Sequence, residues 1–150
     1  MKTVFATLLT SLLAAVLFTA LPQSVAAKSC PHTPAPGSPA RKAILDTLRT
    51  DIQPQFNQNV VFVISHFGVC GNWAFLQAEP QRPGGKPIDW SKTDYAQDVE
   101  DDMCGGLIHA LLFKRAGRWT VREKVICATD VPWVTWPEEF GAPRGVFPTF

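Results

Sequence analysis

From position 39 the apolar residues recur at intervals of three and four. Ile44, Leu45, Leu48 and Ile52 form one stripe, and Arg41, Lys42, Asp46 and Arg49 face the other way, which is the period of an amphipathic helix. Ser38 followed by Pro39 has the form of an N-cap with proline at the first helical position. Pro54 marks the expected stop, because proline lacks the N–H that would continue the ladder. The pattern then changes. Val60 to Phe67 is a β-branched and aromatic run, almost continuously apolar, as in a strand covered on both faces or on one face and part of the other. Gly68 to Gly71 reads as a bend or bulge. After it, Trp73, Phe75 and Gln77 alternate with Ala74, Leu76 and Ala78, the two-residue period of a second strand.

EPQRPGGKP, residues 79–87, is a turn region. IDWSKTDYAQDVEDD, residues 88–102, is polar and acidic and reads as a loop with a short helix. A hairpin follows, with strands over 107–114 and 119–127 joined at Ala116-Gly117. Trp119, Val121 and Glu123 alternate there with Thr120, Arg122 and Lys124, so one face is exposed along the first half of the strand. One helix before about four antiparallel strands predicts an α+β domain, the helix packed on the concave side of a curved sheet.

The first residues add a location. Lys2, the apolar run from Val4 to Ala20, the helix-breaking Pro22 and the small residues Val25-Ala26-Ala27 have the layout of a cleaved secretory signal over 1–27. Lys28 and Ser29 ahead of Cys30 argue against a lipid anchor. No second long apolar run follows, so no integral membrane segment is expected after cleavage. Residues 28–38 hold the proline-rich arm containing CPHTPAPGS, and 39–150 form a single domain. Without Lys2, the fourteen basic residues fall to thirteen, against thirteen acidic ones. Net charge near zero gives no support for nucleic-acid binding.

GNWAFLQAEP and HALLFKRAGRWTV, in this order after a helix, resemble NTF2-like and cystatin-like small domains over Ser38 to Cys127. The chain is also similar to secreted bacterial proteins of unassigned function, through Arg-Lys-Ala-Ile-Leu-Asp at 41–46, Trp-Ala-Phe at 73–75 and the Ala-Thr-Asp-Val…Trp…Gly-Ala-Pro tail. The resemblance implies a helix-on-sheet domain and brings no catalytic motif. An NTF2-like pocket would use His66 or His109 as acid or base. Each of these histidines also sits in an apolar run, where a local hydrogen bond is the common fate.

Four cysteines in an exported chain point to two disulfides. Cys70, at the bend before the second strand, and Cys127, at the end of the last, are expected to meet at one end of the sheet. That leaves Cys30 for Cys104. The acidic cluster that includes Asp98, Asp101 and Asp102 lacks the glycine and alternating ligands of an EF-hand loop. It reads as a solvated loop able to meet a basic partner. No metal or cofactor is expected. Trp133, Trp136 and Phe140 fall on one face of a helical turn, with Asp130 as its candidate N-cap. They form either a sugar-stacking platform or a lid over the open face of the sheet. The leading function is therefore an accessory or inhibitor-like binding protein of the cell envelope, with a protein or glycan partner. The alternatives are a pocket enzyme and a carbohydrate-binding module.

Overall fold

The computed structural model describes residues 29–149; the expected signal segment and its cleavage site lie outside them. The fold is α+β. An 18-residue helix, α1 (Pro39–Phe56), precedes an antiparallel sheet built from β1 (Val61–Cys70), β2 (Trp73–Arg82), the two-residue β3 (Lys86–Pro87), β4 (Leu107–Arg115) and β5 (Arg118–Ala128). The strands lie in the order β1-β2-β4-β5, with β3 paired to the end of β2. Two short α-helices, α2 (Ala96–Glu100) and α3 (Trp136–Phe140), and three 3-10 turns at Trp90–Lys92, Pro132–Val134 and Arg144–Val146 complete the described residues. Among the described residues no helix is long and apolar enough to cross a membrane.

Ser38 Oγ accepts the Arg41 N–H at 3.2 Å, the cap expected of it. Ile44, Leu48, Ile52 and Phe56 are fully buried along one stripe of α1. The helix runs two residues past Pro54 and does not stop there. One lost hydrogen bond in the last turn is a smaller loss than leaving Phe56 in water, since burying such a ring contributes about 2–3 kcal/mol. Phe56 packs on Trp90 and Tyr95, and Asn57, in the left-handed region, donates its N–H to the Gln53 carbonyl.

β2 divides the core. Ala74, Leu76 and Ala78 point to α1 with Ile108, Ala110 and Leu112 of β4. Phe75 points to the opposite face, where it meets Leu111 and the C-terminal residues Trp133, Trp136, Ala142, Val146 and Phe147. β2 also runs further than the turn-rich segment 79–87 predicts, because Val61 to Val63 of β1 supply partners for residues 79 to 81. Pro80 is tolerated because β4 pairs with β2 only as far as Ala78 and β3 joins only from Gln81, which leaves Pro80 in an unpaired gap on that side.

Of three register shifts in the sheet among the described residues, one lies at Cys127, opposite Leu107 and Ile108, and the other two set which of the flanking residues share a face. The β1–β2 register shifts between Ile64 and His66. Phe62 and Ile64 therefore pack toward α1, while His66 stands beside Phe75 on the other face. The bulge is at Ser65, three residues before the predicted bend. Gly68 lies in regular strand, and a Cβ there would collide with the Val146 carbonyl. The second shift, between Leu111 and Leu112, puts Lys124 on the α1 side, where it pairs with Asp51 at 2.6 Å.

The disulfides are Cys30–Cys70 and Cys104–Cys127, which overturns the expected Cys70–Cys127 and Cys30–Cys104. Register explains the difference. Cys70 faces Trp73, itself opposite Phe113, whereas Leu107 faces Ala128 at the other end of β4. The ends of β1 and β5 are therefore at opposite ends of the sheet. The N-terminal arm returns along β1, with His32 and Val69 exchanging two backbone hydrogen bonds of 2.9 Å, and this delivers Cys30 to Cys70.

Candidate functional site

Burial of the C-terminal aromatics follows from the face that β2 leaves to them. Trp133 is 5 % exposed and Trp136 4 %, so neither indole offers a face to a sugar. Both meet Phe75 edge-on, at 5.9 and 6.0 Å between ring centres, and Trp133 stacks on Phe147. Phe140 is half-buried, with the Arg122 guanidinium 5.2 Å from its ring centre. Asp130 does not cap this segment. Its first turn, Pro132–Val134, starts from Val131 with no side-chain cap.

The two histidines flank Phe75 on this same face, at 5.8 Å for His66 and 6.4 Å for His109. His66 Nε2 lies 2.8 Å from the Val146 carbonyl. His109, opposite Gln77 on one side and Val125 on the other, is 2 % exposed, and neither ring nitrogen has a hydrogen-bond partner. Burial pushes its pKa down, and the Asp130 carboxylate opposes that shift. Asp98, Asp101 and Asp102 are exposed around α2. Asp101 accepts from Gln97 at 3.1 Å, and Asp102 takes a φ of 57°. Among the described residues no group of three His, Cys, Asp or Glu side chains is placed to hold a metal ion.

The hairpin end of the sheet carries a surface outside the sites expected from the sequence. β4 and β5 are joined by Ala116 (φ 48°) and Gly117 (φ 79°), the positive angles of a type I′ hairpin turn. That tight turn fixes Arg115 directly opposite Arg118. Phe113 pairs with Thr120 in β5 and with Trp73 in β2, and the Trp73 and Phe113 rings sit 4.6 Å apart, tilted by 52°. Trp73, Phe113, Arg115, Thr120 and Arg122 line a groove of about 470 Å³. A second of about 530 Å³, lined by Arg115, Arg118, Trp119 and Thr120, adjoins it. Lys114 Nζ lies 5.7 Å from the centre of the Trp119 ring on the α1 side. Arg115 and Arg118 are exposed, and neither side chain has a hydrogen-bond or ion-pair partner among the described residues. Trp73, Phe113 and Trp119 are each half-exposed.

The signal for this surface was present in the sequence as KRAGRWTVR, 114–122, four cations and a tryptophan without an acid. Its convergence with Trp73, more than forty residues earlier, depends on register that the sequence does not display. No family model, curated protein or solved structure matches the chain.

Proposed function

We propose that this protein acts by binding, as an exported, disulfide-stapled accessory or inhibitor-like protein of the cell envelope, with the free end of the β4–β5 hairpin as its contact surface. The two disulfides and the absence of a membrane-spanning helix among the described residues are consistent with an exported chain. The observation that carries the binding reading is the composition of the hairpin end. Half-exposed Trp and Phe rings ringed by arginines without ion-pair partners are the side chains that dominate recognition surfaces. Elsewhere on that face Trp133, Trp136 and Phe147 are covered.

Coverage also supports a lid role for the C-terminal segment. Phe75 would lie in water without it, and Val146 holds His66 through its carbonyl. His66 is engaged by the Val146 carbonyl and His109 is closed off from solvent, which favours binding over acid–base chemistry.

The test is retention of the mature domain on envelope fractions, sacculi and envelope protein separately, for the parent and for a variant carrying Arg115→Gln, Arg118→Gln and Arg122→Gln. Retention of the parent on one fraction, reduced at least tenfold in the variant, is expected. Equal retention of the two, or none on either fraction, contradicts the reading.

A further inference from the structure

We propose that the groove over Trp73 and Phe113 is a binding site for a carboxylate-bearing glycan, a ligand class that deepens the binding reading and rests on it. Three features of the hairpin end converge on an anion with flat apolar faces. The first is a stability conflict. Like charges directly opposite each other on antiparallel strands are destabilising, yet Arg115 faces Arg118 across the narrow end of the hairpin, with no acid in the lining of either groove. An anion between the two guanidinium groups resolves the conflict, and a carboxylate fits their planar fork in a bidentate manner.

The second feature is the floor. The Trp73 and Phe113 rings present aromatic surface within a groove of about 470 Å³, inside the range of about 300–1,000 Å³ typical of small-ligand sites. The C–H face of a pyranose packs on such rings; at the margin the Thr120 hydroxyl, which donates to the Phe113 carbonyl at 3.2 Å, can accept from a ring hydroxyl, and the Arg122 guanidinium can donate to one. Arg122 is held over Phe140, which positions it before a ligand arrives.

The third feature selects against an acidic peptide. The peptide mode that a sheet edge supports is addition of a strand through an unbroken ladder. β5 is the edge strand here, but its register shifts between its pairings with Leu111 and Leu112, at Arg122. A bulge at that point interrupts the ladder an added strand would use. The arginines and rings instead address the face of the sheet. A nucleic acid would also meet the arginines, but the mature chain carries as many acids as bases.

The experiment is calorimetric titration of the mature protein at 50 mM salt with four probes. They are tetragalacturonate, its methyl ester, a decaglutamate peptide and a ten-residue oligothymidylate. Tetragalacturonate is expected to bind at least tenfold more tightly than its uncharged ester and than the peptide or oligonucleotide. Arg115→Gln and Arg118→Gln are each expected to weaken it about tenfold, in line with loss of one charge-assisted hydrogen-bonded pair. Trp73→Leu, checked for an unchanged fold by circular dichroism, is expected to weaken acid and ester alike. Equal affinity for acid and ester, tighter binding of the peptide or the oligonucleotide, or an affinity that Arg118→Gln leaves unmoved overturns the proposal. If no probe binds while retention on envelope fractions still depends on the three arginines, the ligand class is wrong and the binding reading stands. Loss of both removes the two together.

Discussion

His109 shows how one position in a strand decides the state of a side chain. Facing the C-terminal segment across β4, it is enclosed with no acceptor or donor for either nitrogen, and burial holds its pKa below the ordinary value of 6.5. The folded protein therefore disfavours the proton that the unfolded chain accepts. Stability from the neutral ring is complete above pH 6.5 and is lost as pH falls below it toward the folded value, by at most about 1.4 kcal/mol per pH unit. Asp130 moderates the loss, and His66 shares the same face on the far side of Phe75. Urea unfolding midpoints should fall between pH 7.5 and pH 5.5 in the parent and fall less in His109→Leu. Parallel pH dependence in the two proteins would show that His109 is not the group responsible.

At the scale of elements, the β4–β5 hairpin combines a well-formed turn with a poorly matched pair of charges. Replacing Arg118 by Gln removes the repulsion across from Arg115, and the folded state should gain about 0.2–1 kcal/mol. Denaturant unfolding at low salt reads this directly, and the gain should shrink at 0.5 M salt as screening removes the repulsion. A loss of stability in Arg118→Gln would mean that the pair is not in conflict. Much at this scale was legible in the chain. The Ser38 cap, the α1 stripe, the alternation of Trp73 to Ala78 and the Ala116-Gly117 turn are local patterns, and local patterns fix local structure. What was hidden depends on pairing. The bulge at Ser65 moves His66 to the face opposite Phe62 and Ile64, and the extra residue at Arg122 sends Lys124 to Asp51. No residue type at Ser65 or Arg122 announces a bulge, so a strict period of two assigns the following side chains to the wrong face. Pro54 misled for another reason, since Phe56 gains more by burial than the last helical turn loses.

Across the whole molecule, charge is close to balanced in total, at a formal net +1, and divided in space. The acids of α2 precede β4, whose nine residues carry the chain roughly 27 Å to the arginines of the hairpin. The disulfides follow the same division, one bridge at each end of the sheet. Cys70 was misassigned because an antiparallel meander returns its strand ends alternately, and a spacing of cysteines along the chain carries no parity. Non-reducing peptide maps should give Cys30–Cys70 and Cys104–Cys127. Removing either bridge, with separations of 40 and 23 residues, should cost about 3–4 kcal/mol through the entropy of the opened loop. A Cys70–Cys127 peptide would reverse the assigned register of the sheet ends.

The polarity also separates the two surfaces able to meet a partner, the acidic one around Asp98, Asp101 and Asp102 and the basic aromatic one around Arg115, Arg118 and Trp73. The decisive measurement is an amide chemical-shift map of the isotope-labelled domain over residues 29–150, titrated with solubilised envelope material. Binding at the hairpin end predicts perturbations gathered at Trp73, at 113–122 and at Phe140, with residues 94–102 unmoved. Perturbations centred on 94–102, or none at the hairpin, would contradict it.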